Sequence, residues 1–226
     1  MYMNRYARLA EFAYAYAKNK LYTNIDGFVV YPDLSDSNSV VLINQEEREL
    51  VLSIRGTDIR NKHDLVNDFY VMNNALSETQ RYRSILNKTQ ELIQYKMQNS
   101  YKLILTGHSL GASLCLAIAQ SKINDRYILE DIDGMYLFNT GFSLYHFTEA
   151  LKNKIKCKIL NNSKTCKLDK LIKQKIHIYS VLGDPISNLS FIHGGHIVRP
   201  INGTNPHSIS QMIGDGWETA LLSHRT

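Results

Sequence analysis

The sequence is poor in the features that mark disulfide-rich, metal-binding or membrane-spanning proteins. Its three cysteines include no Cys-x-x-Cys pair, which argues against a disulfide framework and a zinc finger. No apolar run approaches the roughly 18 residues of a membrane-spanning helix. Because Arg5, Arg8 and Glu11 interrupt the first apolar stretch, we see no signal peptide and expect an intracellular, cytoplasmic protein.

Positive charge is concentrated in one segment. The 226 residues carry a net charge of +5, yet residues 150–176 hold nine lysines and one acid, which leaves −3 for the remainder. This basic insertion has no arginine and no aromatic residue, so we expect no specific nucleic-acid partner. Its lysines alternate with Leu151, Ile155 and Ile159, which suits contact with an anionic membrane, although a solvated pair of surface helices is the simpler interpretation.

The order of apolar segments predicts one α/β domain over residues 1–226. Helices are predicted at 4–19, at 81–98 and directly after residue 109, and strands at 27–31, 40–44, 49–55, 101–106, 132–138 and 176–182. The first three strands predict a small antiparallel meander. The later alternation of strands and helices predicts a mostly parallel central sheet with helices on both faces.

The motif Gly-His-Ser-Leu-Gly at residues 107–111 carries the strongest chemical signal. It fits the nucleophile elbow G-x-S-x-G, in which a serine projects from a sharp turn between a buried strand and a helix. The two glycines remove side chains that would collide in that turn. We therefore predict Ser109 as a nucleophile, with the backbone N–H of Leu110 in the oxyanion hole. Thr57, in the turn after the strand that ends at Ile54, is the second predicted donor.

The predicted acid and base lie downstream of Ser109, because hydrolases with this elbow have the chain order serine, acid, histidine. Asp184 fits the acid, since it follows a buried strand in a Gly-Asp-Pro turn. The alternatives Asp131 and Asp133 precede a strand, which is the wrong edge of a parallel sheet for a site.

His207 is the predicted base because it opens a short amphipathic element after Asn205-Pro206. His193 and His196, which flank two glycines in a loop, are the alternatives. We expect His108, inside the elbow, to line the site or to pack against it.

Taken together, these residues resemble the class 3 lipase family of the α/β-hydrolase superfamily. The resemblance rests on Ile54-Arg55-Gly56-Thr57, on residues 107–112, and on the later Asp184 and His207, and it covers roughly residues 25–213. Residues 205–209 are similar to the histidine region of small bacterial and viral members. The chain departs from the family after the strand at 132–138, where many members read Gly-Ser-Pro-Arg-Val-Gly and this chain reads Asn-Thr-Gly-Phe-Ser.

The resemblance implies an α/β-hydrolase-like fold and a serine carboxylic-ester hydrolase that cleaves acylglycerols or phospholipids through an acyl-enzyme, without a metal or organic cofactor. Residues 58–80, which contain Leu65, Phe69 and Met72, are a lid candidate, and a helix packed over the sheet is the alternative. The alternative function is a catalytically inactive hydrolase-fold binding module, at anionic membrane surfaces.

Overall fold

The computed structural model describes residues 2–20, 23–57, 79–140, 163–184, 196–198 and 207–213. An eight-stranded sheet lies at its centre. In spatial order the strands are β1 (Asn24–Ile25), β2 (Phe28–Val30), β3 (Ser39–Asn44), β4 (Glu49–Ile54), β5 (Lys102–His108), β8 (Gly134–Phe138), β9 (Ile176–Val181) and β10 (His196–Val198). A separate hairpin pairs β6 (Lys122–Ile123) with β7 (Arg126–Tyr127).

Four of the seven pairings in the sheet are parallel, which confirms the predicted mostly parallel sheet. Strands β2 to β4 form the predicted antiparallel meander, β1 adds an antiparallel strand that was not predicted, and β4, β5, β8, β9 and β10 run parallel. Ile54 is opposite Gly107, and His108 is opposite Phe138. The carboxyl ends of β4, β5 and β8 therefore meet at one edge of the sheet.

Helices cover both faces of the sheet, as predicted. They are α1 (Tyr2–Lys18), α2 (Gln80–Asn99), α3 (Leu110–Ala119) and α4 (Ser163–Lys175). Side chains of β4 alternate between the faces: Leu50 and Leu52 pack in the core cluster of α2 and α3, whereas Val51 packs in the cluster of α1. None of these helices is both long and apolar enough to cross a membrane.

Local polar contacts set several element boundaries that apolar patterns alone leave open. The Thr79 hydroxyl accepts a hydrogen bond from the Tyr82 N–H at 3.1 Å, which starts α2 at Gln80. The Asp133 carboxylate accepts the Leu103 N–H at 2.7 Å, and β8 begins at Gly134 rather than at residue 132. Asn124 and Asp125 both have positive φ, at 48° and 62°, and turn the β6–β7 hairpin, which the sequence analysis missed.

Parts of two predicted segments lie outside the described residues. These are residues 58–78 of the lid candidate and residues 150–162 of the basic insertion. The last two residues of the lid candidate cap and begin α2, and the rest of the basic insertion forms α4 and the first residue of β9.

Candidate active site

Ser109 lies in the turn between β5 and α3, with φ 57° and ψ −125°. Its backbone N–H donates to the Phe138 carbonyl at 2.9 Å, which ties the turn to β8. A Cβ at Gly107 would come within 2.7 Å of the Gly111 carbonyl carbon, and one at Gly111 would overlap the Ile54 carbonyl oxygen. Close backbone packing therefore requires both glycines, and the strained turn presents the Ser109 hydroxyl at the carboxyl edge of the sheet.

The His207 ring lies between Ser109 and Asp184. Its Nε2 is 2.9 Å from the Ser109 Oγ, and its Nδ1 is 3.0 and 3.1 Å from the two carboxylate oxygens of Asp184. A carboxylate only accepts hydrogen bonds, so the Nδ1 carries the proton and the Nε2 lone pair faces the serine hydroxyl. The structure thus brings these three predicted residues into one hydrogen-bonded series.

Asp184 and His207 are held by short local elements. The Asp184 N–H donates to the Val181 carbonyl at 3.1 Å across a turn in which Gly183 has φ 89°, a conformation that favours glycine. His207 precedes a 3₁₀ turn, Ile209–Met212, whose N-cap is the Ser208 hydroxyl. Ile209 and Met212 are buried in the cluster formed by α1. Asp184 is fully buried, and the His207 side chain is 13% exposed.

The alternative acids take other positions. Asp133 binds the Leu103 N–H and lies 2.6 Å from the Lys96 Nζ, at the amino end of β5. Asp131 pairs with Arg126 at 3.2 Å. Of the alternative bases, His196 begins β10, and His193 lies outside the described residues.

The two predicted oxyanion donors flank the serine. Leu110 is the first residue of α3, so its N–H has no acceptor within the helix. Gly56 packs against the elbow: a Cβ there would lie 3.3 Å from the Ser109 Cβ and would overlap the Tyr14 hydroxyl. The Gly56 N–H donates to that hydroxyl at 3.0 Å. Because this N–H is engaged, the next one along the turn, that of Thr57, is the candidate donor.

One protein-family model matches the part of the chain that contains the elbow. The model of the lipase (class 3) family matches residues 44–128, which contain both the Arg55-Gly56-Thr57 turn and the Ser109 elbow. This part of the chain is therefore similar to the class 3 lipases. A comparison with curated protein sequences finds no match to it.

Solved lipase structures share the fold of this chain. The Lip2 lipase from Yarrowia lipolytica has a TM-score of 0.55 at 15% identity, over 91% of this chain and 81% of its own. Nonglycosylated LIP2 from the same yeast has a TM-score of 0.54 at 16% identity, over 91% of this chain and 82% of its own. A fungal lipase in complex with an inhibitor has a TM-score of 0.55 at 14% identity, over 87% of this chain and 78% of its own. At these identities the likeness shows the α/β-hydrolase fold.

Three side chains behind the site, those of His108, Tyr14 and Asn139, complete its geometry. His108 is buried, and desolvation lowers its pKa to about 3. Its ring nitrogens bind the Tyr14 hydroxyl at 3.0 Å and the His207 carbonyl oxygen at 2.7 Å. The Asn139 side-chain amide binds the same carbonyl at 3.1 Å.

Sequence reasoning missed two of these side chains. Tyr14 is 94 residues from His108 and looks like any apolar position on the buried face of α1. Asn139 did leave a signal, since it begins the stretch in which the chain departs from the family pattern.

Proposed function

We propose that this chain is a serine carboxylic-ester hydrolase that cleaves acyl esters of lipids. Ser109 is the nucleophile, His207 the general base, and Asp184 the acid that orients it. One observation carries the proposal: the hydrogen-bonded series from Asp184 through His207 to Ser109 ends at a strained strand-to-helix turn. The alternation of donors and acceptors along this series is the one that serine activation needs.

The proposed reaction follows from these contacts. As the Ser109 Oγ attacks the ester carbonyl carbon, its proton passes to the His207 Nε2. The buried Asp184 carboxylate stabilises the imidazolium that forms. His207 then gives the proton to the departing alcohol, leaving an acyl-enzyme, and a water activated by His207 releases the carboxylic acid.

The developing oxyanion is assigned to the backbone N–H groups of Thr57 and Leu110. Leu110 contributes a donor at the positive end of α3, and the Gly56 turn lies directly against Ser109. Each step uses groups of this chain alone, and the proposal includes no metal or organic cofactor. In the described part of the chain, no group of three or more histidine, cysteine or acidic side chains is arranged to hold a metal ion.

A lipid ester is the proposed substrate class, in line with the family and with the lipases that share the fold. Acylglycerol and phospholipid are the two candidates within that class. A panel of a short p-nitrophenyl ester, triolein and phosphatidylcholine separates them, because hydrolysis of phosphatidylcholine alone among the long-chain esters identifies a phospholipase.

The decisive experiment compares Ser109→Ala with the wild type and with Ser53→Ala, a buried serine whose hydroxyl donates to the Leu9 carbonyl. We expect Ser109→Ala to lower kcat at least ~10³-fold and to abolish labelling by a fluorophosphonate, while Ser53→Ala keeps both. Equal activity in wild type and Ser109→Ala contradicts the proposal. A folded wild type that the probe does not label favours the alternative of an inactive binding module.

Contact with an anionic membrane is a subsidiary proposal for residues 150–176. On α4, Lys167, Lys170 and Lys173 are exposed, whereas Leu168 is buried on the other side. Lys175 is already engaged, since its Nζ donates to the carbonyls of residues 129, 130 and 132. Flotation with phosphatidylcholine vesicles, with and without phosphatidylserine, tests the proposal, and equal binding to both contradicts it.

A further inference from the structure

We propose that His108 and Asn139 are positioning residues that together hold the backbone carbonyl of His207, and that Tyr14 couples this clamp to the oxyanion turn. The inference rests on the proposed function, because it concerns how the base of that reaction is held. The hydrogen bonds of the three side chains that lead to the site go to His207 and to Gly56. Their effect on the reaction therefore passes through His207 and through Gly56.

Asn139 links the strand that carries the acid to the residue that supplies the base. Its side chain is fully buried at the end of β8. The Val181 N–H, which can only donate, lies 2.9 Å from the Asn139 Oδ1. The Nδ2 is thereby turned toward the His207 carbonyl, to which it donates at 3.1 Å. One amide thus fixes Val181, three residues before Asp184, relative to His207.

The backbone conformation of Asn139 does not by itself require an asparagine side chain. Its φ is 46°, in the left-handed region that glycine enters without cost and that asparagine tolerates. Glycine adopts this conformation without cost, so the turn itself does not require a side chain. Asparagine at this position adds two hydrogen bonds, a buried one to the segment that carries the acid and a partly buried one to the residue that supplies the base.

His108 supplies the second donor to the same oxygen. A carbonyl only accepts, so the His108 Nε2, 2.7 Å away, carries the proton. Because burial lowers its pKa to about 3, the ring is neutral and its Nδ1 is an acceptor. The Tyr14 hydroxyl, 3.0 Å away, therefore donates to this nitrogen. The rings of His108 and His207 also pack together, with centroids 5.0 Å apart.

Tyr14 closes the connection to the oxyanion turn. Its oxygen accepts the Gly56 N–H at 3.0 Å while its hydrogen points to His108. The hydrogen bonds consequently all run in one direction, from the Gly56 N–H through Tyr14 and His108 to the His207 carbonyl. A shift of the base by about 1 Å would break its 2.9 Å contact with Ser109, and a misplacement of that size can lower the rate about 10²-fold.

The test uses variants that remove or keep these hydrogen bonds. Asn139→Gly suits the backbone and removes the amide, and Tyr14→Phe removes the hydroxyl. His108→Leu removes both ring contacts, whereas His108→Gln retains a donor and an acceptor in comparable positions. Asn44→Ala is the matched control, because Asn44 is a buried asparagine at the opposite end of the sheet whose amide oxygen accepts the Glu47 N–H at 3.0 Å.

For each variant, kcat and KM for a p-nitrophenyl ester, the pH profile of kcat/KM and the urea midpoint are measured. We expect His108→Leu and Asn139→Gly each to lower kcat about tenfold with little change in KM, and Tyr14→Phe about threefold. His108→Gln should recover most of the loss and keep the wild-type acid limb. In the double variant of His108→Leu and Asn139→Gly, the loss should be less than the product of the single losses, since both clamp one oxygen.

The outcomes separate this inference from the proposed function. If the wild type hydrolyses the ester and the folded clamp variants match Asn44→Ala in kcat, the inference is wrong and the proposed function stands. Loss of the acid limb in His108→Gln also overturns it, because His108 would then be exchanging protons itself. A wild type that neither hydrolyses esters nor reacts with the fluorophosphonate overturns both.

Discussion

The polar groups around Ser109 and the Lys96–Asp133 ion pair lie at opposite ends of the parallel strands and differ in their burial. At the carboxyl end, three side chains are buried and form hydrogen bonds to backbone groups or to a histidine ring: those of His108, Asn139 and Asp184. At the amino end, Lys96 lies 2.6 Å from Asp133, whose side chain is 37% exposed. Buried, directional contacts define a geometry, whereas solvent-exposed ion pairs contribute a small and screened attraction. The comparison predicts that substitutions at one end change chemistry and at the other end only stability.

The largest expected effect is that of Asp184→Asn. An amide at this position can donate to the His207 Nδ1, which turns the ring to the tautomer whose Nε2–H faces Ser109 and cannot accept its proton. We expect kcat to fall about 10³- to 10⁴-fold, as measured with a p-nitrophenyl ester. Asp133→Asn is the matched control at the amino end and should retain kcat. Similar losses in both variants would contradict the division between the two ends.

Gly111→Ala tests the packing of the elbow. The added methyl would overlap the Ile54 carbonyl oxygen, which is a backbone atom and cannot move aside easily. We expect the free energy of unfolding in urea to fall by about 3 kcal/mol.

Gly134→Ala, at the amino end of β8, is the control for that packing. Its Cβ would lie 3.2 Å from the flexible end of Ile104 and at an ordinary contact distance, 3.5 Å, from the Tyr136 ring, so the loss should be well under that of Gly111→Ala. Equal losses would mean that the elbow is no more tightly packed than the amino edge.

Much of the fold followed from the sequence because its signals are local. The apolar runs of β4, β5 and β9 and the amphipathic face of α1 are visible in short windows, and the structure confirms them. The three-residue strand β10 has too few residues for a periodicity to emerge. The end of β8 was found, but its start depended on a side-chain contact between Asp133 and Leu103, 30 residues apart.

For the site, the sequence located groups whose chemistry demands a particular residue type. Ser109 was marked by its glycines, and the structure brings Asp184 and His207 to it. The supporting contacts were not visible, because Tyr14 and Asn139 act through backbone groups of distant residues. A hydrogen bond to a backbone carbonyl requires no residue type at the accepting position, so it leaves no pattern there.

Acid sensitivity gives a smaller effect at the carboxyl end. The pKa of His108 is lowered by burial from 6.5 to about 3, so the unfolded chain binds a proton more readily than the folded one. The contribution of this neutral histidine to the free energy of unfolding is fully present above pH 6.5. It is lost as the pH falls from 6.5 toward 3, by up to about 1.4 kcal/mol per pH unit. Between pH 6.5 and 5 the loss should be about 2 kcal/mol.

Urea unfolding of the wild type and His108→Gln at pH 7, 6 and 5 measures this contribution. Other groups titrate alike in both proteins, so the difference isolates residue 108. The variant should lose less stability on acidification. Parallel curves for the two proteins would show that His108 is not the buried neutral group that the clamp requires.

The smallest effect is expected from Lys96→Met at the amino end. Lys96 Nζ contacts the Asp133 carboxylate and donates to the Asp131 carbonyl at 2.7 Å, but water reaches both partners of the ion pair. We expect unfolding free energy to fall by about 0.5–1 kcal/mol, with a smaller difference in high salt and no change in kcat. A lower kcat in folded Lys96→Met would contradict the prediction, because it would mean that a change at Leu103 reaches Ser109 through β5. An unchanged kcat would show that the ion pair at the amino end of β5 does not affect the chemistry at its carboxyl end.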